Sequence, residues 1–212
     1  MDRVEIKKRA KEFASKNKWN IWKPLLVYMG IVLGIQLILT VCGLAPEYET
    51  STTNSLYNIV KLITQVALLP LSIGYVYYII NLIRGKQLEL KDIFSKYKYT
   101  LPIIVITFLV GLFTTLWSLL FIIPGIIYGL KMSMVQYLLA DELDNETGYM
   151  DLLNKSKKMM DGYKIDFLLF TLSFLGWILL TCITFGIAGI WTIPYIITAE
   201  TMYYEELKKK NS

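Results

Sequence analysis

Residues 101–130 read LPIIVITFLVGLFTTLWSLLFIIPGIIYGL, a run without one charged side chain. A helix needs about 20 apolar residues to cross a hydrocarbon core of ~30 Å, so the run is too long for one span. It divides into a helix over 101–119, a tight turn, and a returning helix over 121–140 that opens on Ile123-Pro124-Gly125. Pro suits the first turn of a helix, where its missing N–H leaves no bond unmade. Residues 167–199 are uncharged as well and hold most of two further spans, 167–185 and 188–204. Two more apolar runs, 24–44 and 58–83, bring the expected spans to six.

The cations between these spans fall in alternate gaps. Eight Lys and Arg precede Pro24, five lie from Arg84 to Thr100, four from Asp141 to Asp166, and three in the tail. The gap from Leu44 to Asn58 and the turns near Leu119 and Gly186 hold none. Cytoplasmic loops of membrane proteins carry the excess of Lys and Arg, so the pattern predicts both termini in the cytoplasm. The expected organisation is a basic amphipathic segment over 1–23, a transmembrane domain over 24–204, and a tail over 205–212. The expected fold is all-α and polytopic: six transmembrane helices as three repeated hairpins, with amphipathic interfacial helices on the cytoplasmic side.

Composition agrees. Hydrophobic residues make up 55% of the chain, charged residues 18%, and mean hydropathy is +0.47, which excludes an ordinary soluble domain. A net charge of +5 would suggest nucleic acid in a soluble protein. Beside membrane spans the nearer partner is an anionic lipid headgroup, at ~1 kcal/mol per cation, with Lys7, Lys8, Arg9 and Lys11 as expected contacts. No nucleic-acid partner is expected. The first span makes a poor signal peptide, because its basic leader is long and its small-residue site, Gly43-Leu44-Ala45, runs into Pro46. Cys42 and Cys182 both fall near outer ends of spans, either bridged or as free packing residues. With no His and no Cys pair at ligand spacing, no metal or cofactor is expected.

A repeat organises the chain: a basic amphipathic segment, a span, a tight connection, and a returning span marked by Pro. The amphipathic segments are Val4 to Lys16, Leu88 to Lys98 and Asp151 to Lys164. In the second, Leu90, Ile93, Phe94 and Tyr97 fall on one face of an α-helix; in the third, Leu152, Leu153, Met159, Met160 and Tyr163 do. Such helices either lie in the lipid interface or pack on the inner mouth of the bundle. Pro124 and Pro194 read as helix starts, whereas Pro70, about twelve residues into its span, should kink it. Trp19 and Trp22 suit an inner aromatic belt, Trp117 and Trp191 an outer one.

Polar residues inside the spans are the candidates for chemistry. Lys61 can snorkel to the surface from near the outer end of its span. Lys131 lies near the middle of a short span, where a charge costs ~2.5–3.5 kcal/mol and calls for a partner. It follows Pro124 by seven residues, and Glu200 follows Pro194 by six, so the two sit at comparable depth as a candidate intramembrane pair. That pair reads either as a structural ion pair or as a gate or proton-coupled site. Gln36, Gln65 and Gln136 can bond across helices, while Gly30-x-x-x-Gly34 and Gly125-x-x-x-Gly129 allow close helix contact. Asn145-Glu146-Thr147 matches a glycosylation acceptor but falls in a loop assigned to the cytoplasm. Asp141, Glu142, Asp144 and Glu146 form an acidic patch, read as a solvated loop. No nucleophile–base pair, phosphate loop or paired-carboxylate site is recognisable, and no enzyme is expected.

The second half carries a family resemblance. Ile123-Pro124-Gly125-Ile126-Ile127, then Ser133-Met134 with Tyr137 and Asp141, then Ser156 and Met160-x-Gly162-x-Lys164 resemble the bacterial membrane family catalogued as domain of unknown function 975. So do Leu172 to Trp177, Gly186-Ile187, Trp191-x-x-Pro194-Tyr195 and Tyr203-Tyr204. The resemblance covers residues ~60 to 205, and the N-terminal third matches more loosely. Lys131-Met132 departs from it, standing where the family's usual Tyr precedes Ser-Met. The resemblance implies a polytopic plasma-membrane protein, mostly of Gram-positive bacteria, with no established activity.

The leading functional expectation is a non-enzymatic membrane protein acting in membrane or envelope homeostasis or in protection from membrane-active peptides. The alternative is a small transporter or channel with a path between the hairpins. A polar cavity lined by Lys131, Glu200 and the Gln residues would favour transport, and a dry, packed interior the first reading.

Overall fold

Among the described residues the apolar runs fold mainly as helix. The structure, a computed structural model, describes residues 2–42, 51–145 and 148–211, with no strand among them. Gly43-Leu44-Ala45 and Glu146-Thr147 lie outside the described residues. Helix α1 (Arg3–Lys16) is capped by Asp2, whose carboxylate accepts from the Val4 and Glu5 N–H groups at 3.0 and 3.1 Å. Helices α2 (Lys18–Val41) and α3 (Ser51–Ile83) form a first hairpin. A 3-10 helix (Leu90–Tyr99) leads into α4 (Thr100–Leu120), which packs closely on α5 (Ile122–Met132); the chain continues as α6 (Val135–Glu142). After α7 (Tyr149–Met159), the third hairpin is α8 (Lys164–Leu172) with α9 (Leu175–Ile183), returning as α10 (Gly189–Asn211).

Five helical runs are long and apolar enough to cross a bilayer: Lys18–Val41, Tyr57–Ile83, Leu90–Leu120, Ile122–Glu142 and Lys164–Ile183. The expected sixth, 188–204, falls almost wholly within α10, which is not among them. Packing supplies the reason. Thr198, Ala199, Thr201, Tyr203, Tyr204 and Leu207 of α10 are buried against other helices. A helix wrapped in protein need not be apolar all round. Its threonines satisfy their own hydroxyls, Thr198 on the Pro194 carbonyl and Thr201 on the Ile197 carbonyl, each at 2.7 Å.

The hairpins differ in detail. α5 breaks where the Ser133 hydroxyl turns back on the Leu130 carbonyl at 2.8 Å, and α8 breaks where Ser173 does the same to Phe170. Serine competes in this way with the helix's own backbone bonds. α3 runs unbroken through Pro70, Pro124 is the third residue of α5, and Pro194 is the sixth of α10. Pro194 therefore lies past the first turn, because α10 begins earlier than the proline.

The amphipathic segments take two courses. Ile6 and Ala10 of α1, and Leu152, Leu153, Met159 and Met160 of the third segment, are buried in the bundle. The middle segment departs from its expected period. A 3-10 helix repeats every three residues, so Ile93 and Lys96 share the inner face. Both are buried, while Phe94 and Tyr97 are exposed, as is Leu90 at the first residue of the helix. The close fit rests on Gly74, since a Cβ there would stand 1.8 Å from the Ile93 carbonyl oxygen.

Candidate functional site: a polar cleft at Glu200

α10 carries Glu200 through the centre of the bundle, facing Tyr137 on α6. The Tyr137 hydroxyl donates to the Glu200 carboxylate at 2.8 Å. The Tyr137 ring stacks on Tyr204 with centroids 5.4 Å apart, and the Tyr204 hydroxyl donates to Asp141 at 2.9 Å. Glu200 opens into a cleft of about 410 Å³ whose polar walls are Ser72, Thr107, Ser133, Gln136 and Thr171. Thr107 lies seven residues past the start of α4, about 10 Å along its axis. A second cavity of about 200 Å³ shares Ser72 and Gln136 and adds Tyr28, Tyr75 and Tyr137.

Two hydroxyls of this track lack partners in the protein. The oxygens of Tyr75 and Thr171 are buried without a hydrogen bond. A buried polar group left unpaired is costly, so the track is suited to water or a ligand carrying complementary groups. Apolar walls at Leu69, Ile73, Val110 and Phe167 enclose these few polar points, as in small-molecule sites generally.

At one end of the bundle an ion network ties α3, α6, α7 and α10 together. Arg84 meets Asp141 in a bidentate pair at 2.5 and 2.7 Å, and reaches Glu205 at 2.7 Å. Lys208 bonds Asp141 at 2.5 Å and Glu142 at 2.9 Å, and Lys155 bonds Glu142 at 2.7 Å. Burial alone would loosen the Lys208 proton; hydrogen bonds to Asp141 and Glu142 outweigh it and raise the ammonium above the ordinary lysine value. Beside this network, Lys96 is buried against Asp144 at 2.8 Å and lies 4.4 Å from the Tyr77 ring centre. The acidic patch expected to be a solvated loop is thus largely a set of clamps. Charge counts along the chain showed an acidic run at the start of one basic gap, but not which carboxylate met which cation.

The structure does not bring Lys131 and Glu200 together. Among the described residues no ion pair joins them, and the carboxylate is held by Tyr137 instead. Lys131 lies just before the Ser133 break. Its backbone carbonyl accepts from the Ser156 hydroxyl at 2.8 Å. Lys61 is exposed and stands 5.8 Å from the Tyr57 ring centre. Gln136 lines the cleft; Gln36 and Gln65 are exposed elsewhere. A Cβ at Gly125 would clash with Ser118 of α4, whereas Gly30 and Gly34 face open space. Cys42 and Cys182 are free. Of the leader cations, Lys7 donates to Ser173 and Arg9 pairs with Glu206, each at 2.9 Å, while Lys8 and Lys11 are exposed. Trp22 stands 6.0 Å from Trp191, so the expected separation into an inner and an outer belt fails for this pair. Tyr137 was legible only as a family position, and its role needs the partner helix.

An all-helical chain with five helices able to cross a bilayer is compatible with a multi-pass membrane protein. The chain belongs to the family described as Protein of unknown function (DUF975), matched over residues 1–128 and 119–211. The match takes in the basic leader as well as the second half. No curated protein and no solved structure matches the chain.

Proposed function

We propose that the chain is a non-enzymatic, six-span protein of the bacterial plasma membrane, with both termini cytoplasmic, that passes a small cationic solute through the Glu200 cleft. The observation that carries this reading is a carboxylate at the wall of a cleft whose Thr171 hydroxyl has no protein partner, next to a second cavity where the Tyr75 hydroxyl has none. A carboxylate favours a cation, and the unpaired hydroxyls offer bonds that a desolvated solute needs. α10 counts as the sixth span because its polar residues face protein. The orientation rests on the cation-rich gaps. A role in envelope homeostasis or protection from membrane-active peptides would suit a dry interior, and the cleft counts against it. The chain has no need of a cofactor in this role.

The test is flux in proteoliposomes, with methylammonium and protons as probes and lipid scrambling measured alongside. Cation flux that Glu200→Gln abolishes, while the variant stays monodisperse and helical, is the expected result. Scrambling without flux would return the chain to the homeostasis reading.

A further inference from the structure

The leader helix directs three of its six cations at the protein. Arg3 pairs with Asp166 at 3.3 Å, Lys7 donates to Ser173, and Arg9 pairs with Glu206. Lys11, like Lys8 and Lys16, meets no carboxylate and no hydrogen-bond acceptor among the described residues, but its surroundings differ from theirs. It borders a groove of about 340 Å³ between α1, α9 and α10, walled by Trp177, Trp191 and Tyr195. Trp22 extends this wall edge-on to Trp191 at 6.0 Å, and Lys18 stands 5.5 Å from the Trp22 ring centre. The Thr192 hydroxyl in the groove is already paired with Thr181 at 2.9 Å, leaving the Lys11 amine as the groove's cation beside the Tyr195 side chain.

Position makes that amine unusual. Trp177 lies past the Ser173 break in a run apolar enough to cross a bilayer. A lone cation against such a surface is unfavourable unless an anion meets it. Trp177 and Trp191 are 46% and 55% exposed, as indoles are where they face lipid near a headgroup.

We infer that this groove binds one anionic phospholipid, its phosphodiester on Lys11 and its glycerol and upper acyl chains against Trp177 and Trp191. A free phosphate would gain nothing from the indole faces. A zwitterionic lipid would bring its own cation toward Lys11 and Lys18.

Native mass spectrometry of the full chain in mild detergent tests this with phosphatidylglycerol and phosphatidylcholine. Wild type should hold phosphatidylglycerol more tightly. Lys11→Gln should weaken it about fivefold, the value of one charge near a headgroup, and leave phosphatidylcholine unchanged. Lys11→Arg should keep the preference, Trp177→Ala should weaken both lipids, and Lys8→Gln should change neither. Undiminished phosphatidylglycerol binding by Lys11→Gln would overturn the assignment. So would competition by soluble glycerophosphoglycerol as effective as that of the whole lipid, because the headgroup alone would then suffice.

Discussion

Glu200 shows what residue counting reaches and where it stops. Spacing from Pro124 and Pro194 put Lys131 and Glu200 at similar depth, but depth along a span says nothing of the direction a side chain takes around it. The Ser133 break separates Lys131 from α6, so Tyr137, not Lys131, reaches the carboxylate. Stability of the detergent-solubilised protein should report this. Lys131→Met and Glu200→Gln should add to within ~0.5 kcal/mol, as separated sites do, whereas Tyr137→Phe and Glu200→Gln should couple by ~0.5–3 kcal/mol. A coupled Lys131–Glu200 cycle would mean the pair forms after all. Asp144 offers a pH test. Burial pushes its carboxyl up, but hydrogen bonds from Lys96 and Tyr99 outweigh this and hold it below the usual carboxylate range. Its contribution is therefore present above pH ~4 and lost as pH falls through its lowered folded value. Thermal midpoints should fall on acidification below pH ~4, and Asp144→Asn should flatten that slope; an unchanged slope would remove Asp144 from the account.

At the scale of elements, helix type was legible where the period was strong and misread where it changed. The segment from Leu88 to Lys98 carries a good 3.6 pattern, yet it folds as a 3-10 helix because it must lie against α3 at Gly74. Its backbone approaches so closely that the Ile93 carbonyl occupies the place of a side chain. Lys96 then turns inward, and Phe94 and Tyr97 turn out. Gly74→Ala should cost ~1–3 kcal/mol through overpacking against backbone that cannot yield. Gly30→Ala, with open space around it, should be neutral or stabilising by up to ~1 kcal/mol. Equal effects in thermal unfolding would mean that the close approach at Gly74 is absent in the protein.

Across the whole molecule, basic gaps far apart in sequence meet at one end. Arg84, Lys155 and Lys208 join around Asp141 and Glu142, and the uncharged turn at Phe185 to Ile187 lies beyond α9. With Cys42 and Cys182 replaced by Ala, a cysteine at exposed Ile187 should react with an impermeant maleimide in intact cells. A cysteine at Asn154 should react only after lysis, and the reverse pattern would invert the proposed orientation. Sequence alone determined the helical class, five of the expected spans to within a few residues at most ends, the clustering of charge between them, and the family. These are one-dimensional properties: a bilayer demands about 20 apolar residues per crossing and keeps charge outside, whatever the helices touch. Tertiary structure decided that polar α10 is wrapped by its neighbours, that Lys96 is buried, that Tyr137 holds Glu200, and that a polar cleft opens beside them. Each of these depends on which way a side chain points around its helix and how closely two backbones approach, and a local break such as Ser133 or a contact such as Gly74 resets both.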